Sequence, residues 1–576
     1  MKHLIHILLV FLFWFTYQQN IIAQVKRSSE DTLKTNDVII VKEYEPTIVS
    51  PKRIEDYPSV IEAQIEPPKI KYTFLNKQYP VKFNIEPIKP ASMRGEPLSP
   101  LTKGYFKGGV GNYKNTFADL SITTGRSRKH LAGLNINHLG SGGNIKGYGD
   151  ANFSNNHLLL FGKKFLRQHL LAGNLQYNYD RFHFYGYPDS LTYLNKDNTL
   201  QNYHKINGNV SFTSFFKDTS AINYHSSINA SYLTETMFAA KELYIQAENN
   251  FKKRYSGELI KLNTWFDINN FQSTVASSSA IVNVNPEISS KGKHYQADVG
   301  LNIMVNAADV TKFHFYPNAK FKYNLYKEYI IPYVGVSGGI QRNNLHSLYA
   351  RNPFLANPYL SLRNTNELYK LYGGIKGAYS STVSFDFKAI KKKQNNLPLF
   401  VLSDYFPFPY PTFAPVWVTV PSFAVIYDNV ETTELSAEIT WQKTEKLDFI
   451  FQAQYFSYRT ENEFVPWYLP DYQLKTAFQY DILDKLILRG QLFVISPRKA
   501  KTLNPSKGDF VAENVYSISI PAIYDINLGL EYRYSKRLSA FLNINNIASV
   551  KYYQWENYPV QGLNILGGIS FSFLED

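Results

Sequence analysis

The sequence predicts an all-β protein: a transmembrane antiparallel β-barrel of about 20–22 strands behind a short, mostly irregular N-terminal leader. Three observations carry this reading. Apolar and polar residues alternate with a period of two through the C-terminal third, short turns and long connections alternate between those segments, and the chain opens on a basic and then apolar stretch.

The alternation is clearest from Tyr524 to Asp576. Tyr524, Ile526, Leu528, Leu530, Tyr532 and Tyr534 take one face while Asp525, Asn527, Gly529, Glu531 and Arg533 take the other. A strand of that length, rising about 3.3 Å per residue, crosses a hydrocarbon layer of roughly 30 Å when tilted. After the turn Ser535-Lys536-Arg537 a second strand sets Leu538, Ala540, Leu542 and Ile544 against Ser539, Asn543 and Asn545. The last strand sets Leu563, Ile565, Gly567, Ile569, Phe571 and Phe573 against Asn564, Gly568, Ser570 and Ser572, with Leu566 out of pattern. A soluble sandwich also alternates, so the compartment must decide.

The N-terminus addresses the compartment. Met1-Lys2-His3 is basic, Leu4 to Phe15 is apolar, and Ile21-Ile22-Ala23 precedes Gln24, which reads as a secretory signal peptide over residues 1–23, cut near Ala23. The apolar run is shorter than the ~20 residues a spanning helix needs, and no other stretch is apolar for as long. A membrane-bound mature chain would therefore cross with strands. The 576 residues contain no cysteine, which removes disulfides, thiolate metal sites and a lipid-bearing Cys, and fits a Gram-negative envelope. The 44 Tyr and 40 Phe suit the outer aromatic belts of a barrel. The formal charge of +14 is spread along the chain without a helical recognition motif, which argues against nucleic acid; it would suit anionic lipid headgroups, an acidic solute or a polar lumen.

Residues 24–100 form the leader. Pro46, Pro51, Pro58, Pro67, Pro68, Pro80, Pro87, Pro90, Pro97 and Pro100 interrupt any regular element, so this is read as an extended periplasmic segment with one β-prone run at Asp37-Val38-Ile39-Ile40-Val41. The barrel is placed at residues 101–576, with strands from about Gly104. Candidates are Phe117–Thr124, Leu131–His138, Leu170–Tyr179, Lys205–Phe215, Ala221–Leu233, Leu243–Phe251, Leu259–Phe271, Tyr295–Val305, Lys312–Tyr326 and Tyr329–Gly338. Sustained helical periodicity is absent.

Further on, Leu435, Ala437, Ile439 and Trp441 alternate with Ser436, Glu438, Thr440 and Gln442. The strands from Leu447, from Tyr472 to Ile482 and from Leu486 to Val494 repeat the code. Connections at Gln442–Lys446, Leu483–Lys485 and Ser535–Arg537 are short, whereas Asp404–Val420, Thr460–Pro470, Ser496–Ile520 and Ser549–Gly562 are long, the pattern of an outer-membrane barrel with its long loops outside. Carried back past the long segment Arg342–Glu367 the parity breaks. The short connections near Ala307-Ala308-Asp309 and Tyr326-Lys327-Glu328 fall on opposite sides, which suggests a misread strand; an odd count near 21 becomes 20 or 22 in an even barrel.

The ending Asn543-Ile544-Asn545-Asn546-Ile547, with Tyr552-Tyr553-Gln554-Trp555, Tyr558-Pro559, Gly562-Leu563-Asn564 and Gly567-Gly568-Ile569-Ser570-Phe571-Ser572-Phe573, resembles the last two strands of TonB-dependent outer-membrane receptors. The resemblance is specific there and diffuse over the rest of the barrel. It implies twenty-two strands, an aromatic terminal strand read by the barrel assembly machinery, an N-terminal plug, and a short box for a TonB-type energy-coupling protein. Asp37, Val38, Ile39, Ile40 and Val41 look like such a box. Two features depart from the family. Asp576 follows Phe573 by three residues, displacing the terminal aromatic, and residues 24–100 are too few and too proline-rich for the family's folded plug. The more general resemblance is to plug-less, receptor-like barrels of Bacteroidetes envelopes, in which a proline-interrupted leader like Tyr44-Glu45-Pro46 and Tyr57-Pro58 precedes the barrel.

No catalytic constellation is visible, so no enzyme, cofactor or metal is expected. The 12 histidines lie singly between His3 and His346 without His-Glu-x-x-His spacing, and Gly108-Gly109-Val110-Gly111 and Gly140-Ser141-Gly142-Gly143 lack the helix and Lys of a phosphate loop. The stretch from Asp404 to Trp417 alternates proline with rings. Tyr405, Phe406, Phe408, Tyr410, Phe413 and Trp417, with Trp467, Tyr468, Tyr553 and Trp555, form either a stiff binding mouth or an outer girdle and lumen cap. Inward Asp448, Asp481, Asp525, Glu438, Glu531, Lys475, Arg489 and Arg533 either tune a polar channel or pair and close it. Two functions follow: passage or uptake of a solute of unknown identity across the outer membrane, or a scaffold that binds other envelope proteins through the leader and aromatic loops.

Overall fold

The computed structural model describes residues 101–575 except 144, 192–195, 219–220, 309, 356–359, 404–420, 445, 503–507 and 513–514. The signal segment, the leader with Asp37–Val41, and the rings from Tyr405 to Trp417 lie outside the described residues.

Alternating residues pair into one antiparallel sheet of 22 strands. The first strand, Thr102–Gly111, pairs with the second, Thr116–Thr123, and with the last, Asn564–Glu575, through Tyr105↔Ser572, Phe106↔Phe571 and Gly109↔Gly568. The sheet therefore closes on itself and no edge is left to pair with another chain. Closure needs the two strands to approach. A Cβ on Gly568 would run into the Gly108 carbonyl oxygen and lie 2.6 Å from Gly109 Cα, so only glycine fits that seam.

The connections divide cleanly between the two ends. The turns at 124–129, 166–168, 215–222, 256–257, 292–294, 324–330, 381–382, 445–446, 483–485 and 534–537 share one end with the start of the first strand and the finish of the last. The loops at 142–152, 184–199, 342–364, 404–421, 461–471, 496–522 and 546–563 lie at the other. The suspected misreading around Ala307 is corrected: 308–310 and 324–330 do lie at opposite ends, because Ala307↔Thr311 closes an unusually short connection at the loop end. The strands that the candidates passed over are Phe153–Phe165, Ala276–Lys291, Thr365–Ser380 and Val383–Ser403. An apolar run at Leu158–Phe161, a mid-strand Pro286 and the charged stretch Lys391–Lys393 hide the alternation of the first, second and fourth of these.

On the outer face the apolar set is exposed: Leu175, Val210, Ile228, Val299, Val334, Leu371, Leu435 and Ile569 are among many such side chains. A monomer in water rarely exposes so continuous an apolar surface, whereas a lipid-facing barrel requires it. The lumen face is polar, and several of its charges pair within the wall. Lys261 reaches Glu287 at 2.7 Å and Asp298 at 3.4 Å, Arg489 reaches Glu531 at 2.9 Å, Arg533 reaches Asp481 at 3.4 Å, and Gln452 donates to Glu438 at 3.0 Å. These pairs join nearby strands. Leu566, out of pattern in the sequence, stands on this face and is buried.

Among the described residues one short α-helix, Leu345–Arg351, interrupts the all-β pattern within loop 342–364, and none of their helices is long and apolar enough to cross a membrane. A three-stranded sheet of Arg498–Thr502, Asp509–Ala512 and Val515–Ile520 occupies loop 496–522, and Tyr553–Trp555 pairs with Tyr558–Pro559 in loop 546–563. The principal hydrophobic core is here, among the loops.

Candidate functional site: a packed aromatic cap over the barrel mouth

The loop 342–364 is rooted on distant wall strands. Asn344 caps its helix, accepting from Ser347 N at 2.8 Å while the Ser347 hydroxyl accepts from Asn344 N at 3.0 Å. The carboxylate of Glu242, buried at the end of strand Lys241–Tyr255, accepts from Leu345 N at 2.6 Å and His346 N at 3.2 Å. It thereby satisfies amide groups that a helix start leaves open. Arg342 pairs with Asp267 and donates to Ser279 Oγ at 2.5 Å. Lys205 donates to His346 Nε2 at 2.6 Å, so that nitrogen is the acceptor and the ring proton sits on Nδ1. Burial, then the Lys205 charge, pushes His346 down to about 4.

From this root the chain carries Tyr349 and Phe354 inward. Tyr349 stacks on Tyr203 with ring centroids 4.3 Å apart. Phe354 stacks on Tyr558 at 3.6 Å and meets Tyr185 edge-on at 5.7 Å. Those three rings come from loops 342–364, 546–563 and 184–199, which leave the wall eight, eight and six strands apart around the circle of 22. Loops from three nearly equidistant points on a ring meet at one place only by crossing its opening. Phe354, Tyr558 and Tyr185 therefore lie over the lumen.

The rest of the cap packs around this junction. Trp555 lies 5.2 Å from Phe423, 5.2 Å from Phe400 and 4.9 Å from Tyr468. Trp467 is fully buried and donates to Glu463 at 2.7 Å; Lys501 holds the same carboxylate at 2.9 Å. Arg498 donates to the carbonyl oxygens of Gln554 at 2.8 Å and Tyr553 at 2.7 Å, tying the small sheet to the last loop. Asp428 accepts from the amides of Asn462 at 3.0 Å and Glu463 at 2.9 Å, which turns loop 461–471 inward. Tyr148 and Tyr553 share a hydroxyl hydrogen bond of 3.1 Å, and burial pushes Tyr148 up to about 12. Tyr558 donates to the Pro421 carbonyl oxygen, and burial raises its hydroxyl well above the ordinary tyrosine range.

Of the rings singled out in the sequence, the structure brings Tyr468 and Trp555 into contact and buries Trp467 beside them, with Tyr553 half-buried at the rim. Phe354, Tyr558, Tyr185, Tyr349, Phe423, Phe400 and Tyr203 join the same cluster and are not among the site residues the sequence suggests. For Tyr185, Phe354 and Tyr558 a signal is present in the loops: Tyr185-Gly186-Tyr187-Pro188, Asn352-Pro353-Phe354 and Tyr558-Pro559 each set a ring beside a proline. No group of three or more His, Asp or Glu among the described residues is placed to hold a metal ion.

No family profile and no curated protein sequence matches the chain. Solved structures do. The pyoverdine outer membrane receptor FpvA from Pseudomonas aeruginosa, bound to pyoverdine, superposes with a TM-score of 0.59 at 11% identity, covering 82% of this chain and 79% of that one. The ferric-catecholate import receptor Fiu from E. coli gives 0.60 at 10%, covering 82% of each chain, and the FrpB iron transporter from Neisseria meningitidis gives 0.62 at 9%, again covering 82% of each. By closure, strand number and these superpositions, the chain has the barrel fold of the TonB-dependent outer-membrane receptors.

Proposed function

We propose that this protein carries a solute across the Gram-negative outer membrane through a lumen that the aromatic cap covers from outside. The observation that carries the reading is the convergence of Phe354, Tyr558 and Tyr185 over a polar-walled, lipid-facing barrel. A structural support needs neither a polar lumen nor a cover for it. The superposed proteins are a pyoverdine receptor, a ferric-catecholate import receptor and an iron transporter, which supports uptake as the direction of passage.

In this reading residues 1–23 direct export with cleavage near Ala23, residues 24–100 form a periplasmic leader, and the assembly machinery inserts the barrel into outer-membrane lipid. Asp37–Val41 would contact a TonB-type coupling protein. The half-exposed rings of the cap, with those from Tyr405 to Trp417, would meet solute first. Deleting Asp37–Val41 tests the coupling: loss of uptake into cells supports it, whereas unchanged uptake together with conductance in a planar bilayer supports a passive pore. A barrel that neither conducts nor supports uptake, and that purifies with stoichiometric envelope proteins, would be a scaffold.

A further inference from the structure

The outer face of the barrel changes character at one level on three neighbouring strands. On Val383–Ser403 the lipid-facing positions run Phe385, Phe387 and Ala389, then Lys391 and Lys393. On Ser422–Thr444 they run Trp441, Ile439, Ala437 and Leu435, then Thr433 and Glu431; on Leu447–Thr460, Phe449, Phe451, Ala453 and Tyr455, then Ser457 and Arg459. Register aligns the change. Leu371, Lys391, Thr433 and Ser457 stand side by side, and the next row towards the loops is Tyr369, Lys393, Glu431 and Arg459.

The height of that row places it. Trp441, beside Val383 and Phe449, marks the turn-side end of the apolar band. Ten residues further along the strand, at about 3.3 Å each and a tilt near 40°, gives roughly 25 Å of height, the thickness of a barrel's apolar band. Lys393, Glu431 and Arg459 therefore stand at the level of the outer-leaflet headgroups. Lys391 Nζ lies 2.7 Å from Glu431 Oε1, and Lys393 and Arg459 flank that carboxylate in the row. Three cations against one anion leave a net positive strip facing lipid. Leu435 and Tyr455, each about half exposed, lie directly below it where acyl chains run, and Leu371, exposed to the same degree, stands beside Lys391.

We propose that this row docks a phosphorylated lipid headgroup of the outer leaflet. Lys391, Lys393 and Arg459 are its phosphate ligands, and Glu431 is an internal competitor that holds Lys391 when no phosphate is present. Arg459 suits the role because its planar fork engages two phosphate oxygens, while the lysines act as point charges. Basic groups at a headgroup surface each strengthen the binding of anionic lipid. The site lies on the outside of the wall and holds whether or not the lumen carries solute.

The test uses the full-length protein in detergent, with unheated gel mobility confirming the folded barrel for every variant. Native mass spectrometry then follows titration with bis-phosphorylated lipid A, its dephosphorylated counterpart and inorganic phosphate. The expected results are retention of the bis-phosphorylated lipid, a loss of at least about ten-fold in the K391Q/K393Q/R459Q variant, and tighter binding in Glu431→Gln, which frees Lys391. Weaker binding is what damage to the wall would produce, so a gain in Glu431→Gln separates competition from misfolding. Unchanged retention in the triple variant, no gain in Glu431→Gln, equal binding of the dephosphorylated lipid, or inorganic phosphate binding as tightly as the lipid would each overturn the proposal.

Discussion

Phe354 stacks on Tyr558 with ring centroids 3.6 Å apart and planes 17° from parallel, although the two residues belong to loops that leave the wall eight strands apart. That contact joins parts of the rim about a third of the circle apart, above the lumen. Replacing Phe354 with Ala removes the ring and leaves a gap beneath Tyr185, at about 3 kcal/mol of cap stability. The barrel itself, closed by wall hydrogen bonds, should keep its unheated gel mobility. Limited proteolysis at loops 342–364 and 546–563 should accelerate while cleavage at the turns does not.

Glu242 is the second lever. It is buried and holds the amides of Leu345 and His346, so Glu242→Ala leaves both donors without that acceptor. The expected cost is about 2–3 kcal/mol, felt in the helix and not in the wall. Hydrogen exchange should quicken at Leu345 and His346, with strand amides such as those of Leu262 and Phe266 unchanged.

Acid should loosen the same root. His346 is held down to about 4, so between that value and the ordinary 6.5 an undocked ring binds a proton that the docked ring does not. The undocked state binds more protons, hence docking is fully stable above about pH 6.5 and weakens as pH falls toward 4. The ring is partly solvated, and screening limits the effect to about 1–2 kcal/mol. Exchange rates at the helix amides measured from pH 7 to 4 should show it, and His346→Gln should flatten the profile.

The seam offers a test of closure. Gly568→Val would force a side chain against the Gly108 carbonyl and Gly109 Cα. Strand pairing Gly109↔Gly568 should fail, and the heat-modifiable folded band should fall sharply in purified membranes.

The wall was legible because its physics is local. Alternation such as Tyr524 to Arg533 fixes which side meets lipid, and Leu486–Val494 pairs as its pattern requires, Arg489 meeting Glu531 on the lumen face. Where local signal fails, so did the reading: Pro286 and the Lys391–Lys393 run conceal strands that only their neighbours hold in register. The cap is a different problem. Trp467 and Trp555 stood out as rings in long loops, yet nothing local tells an exposed ring from one packed against Phe423 or Tyr468, because the partner lies on another loop. Phe354 and Tyr558 meet across 204 positions of sequence, and only closure of the barrel brings them together.

Single-channel recording on the purified full-length protein reaches the cover most directly. Wild type should show little conductance, and the Phe354→Ala/Tyr558→Ala double variant should show frequent, larger openings at the same applied voltage. Equal conductance in the two proteins would contradict a mouth closed by these loops.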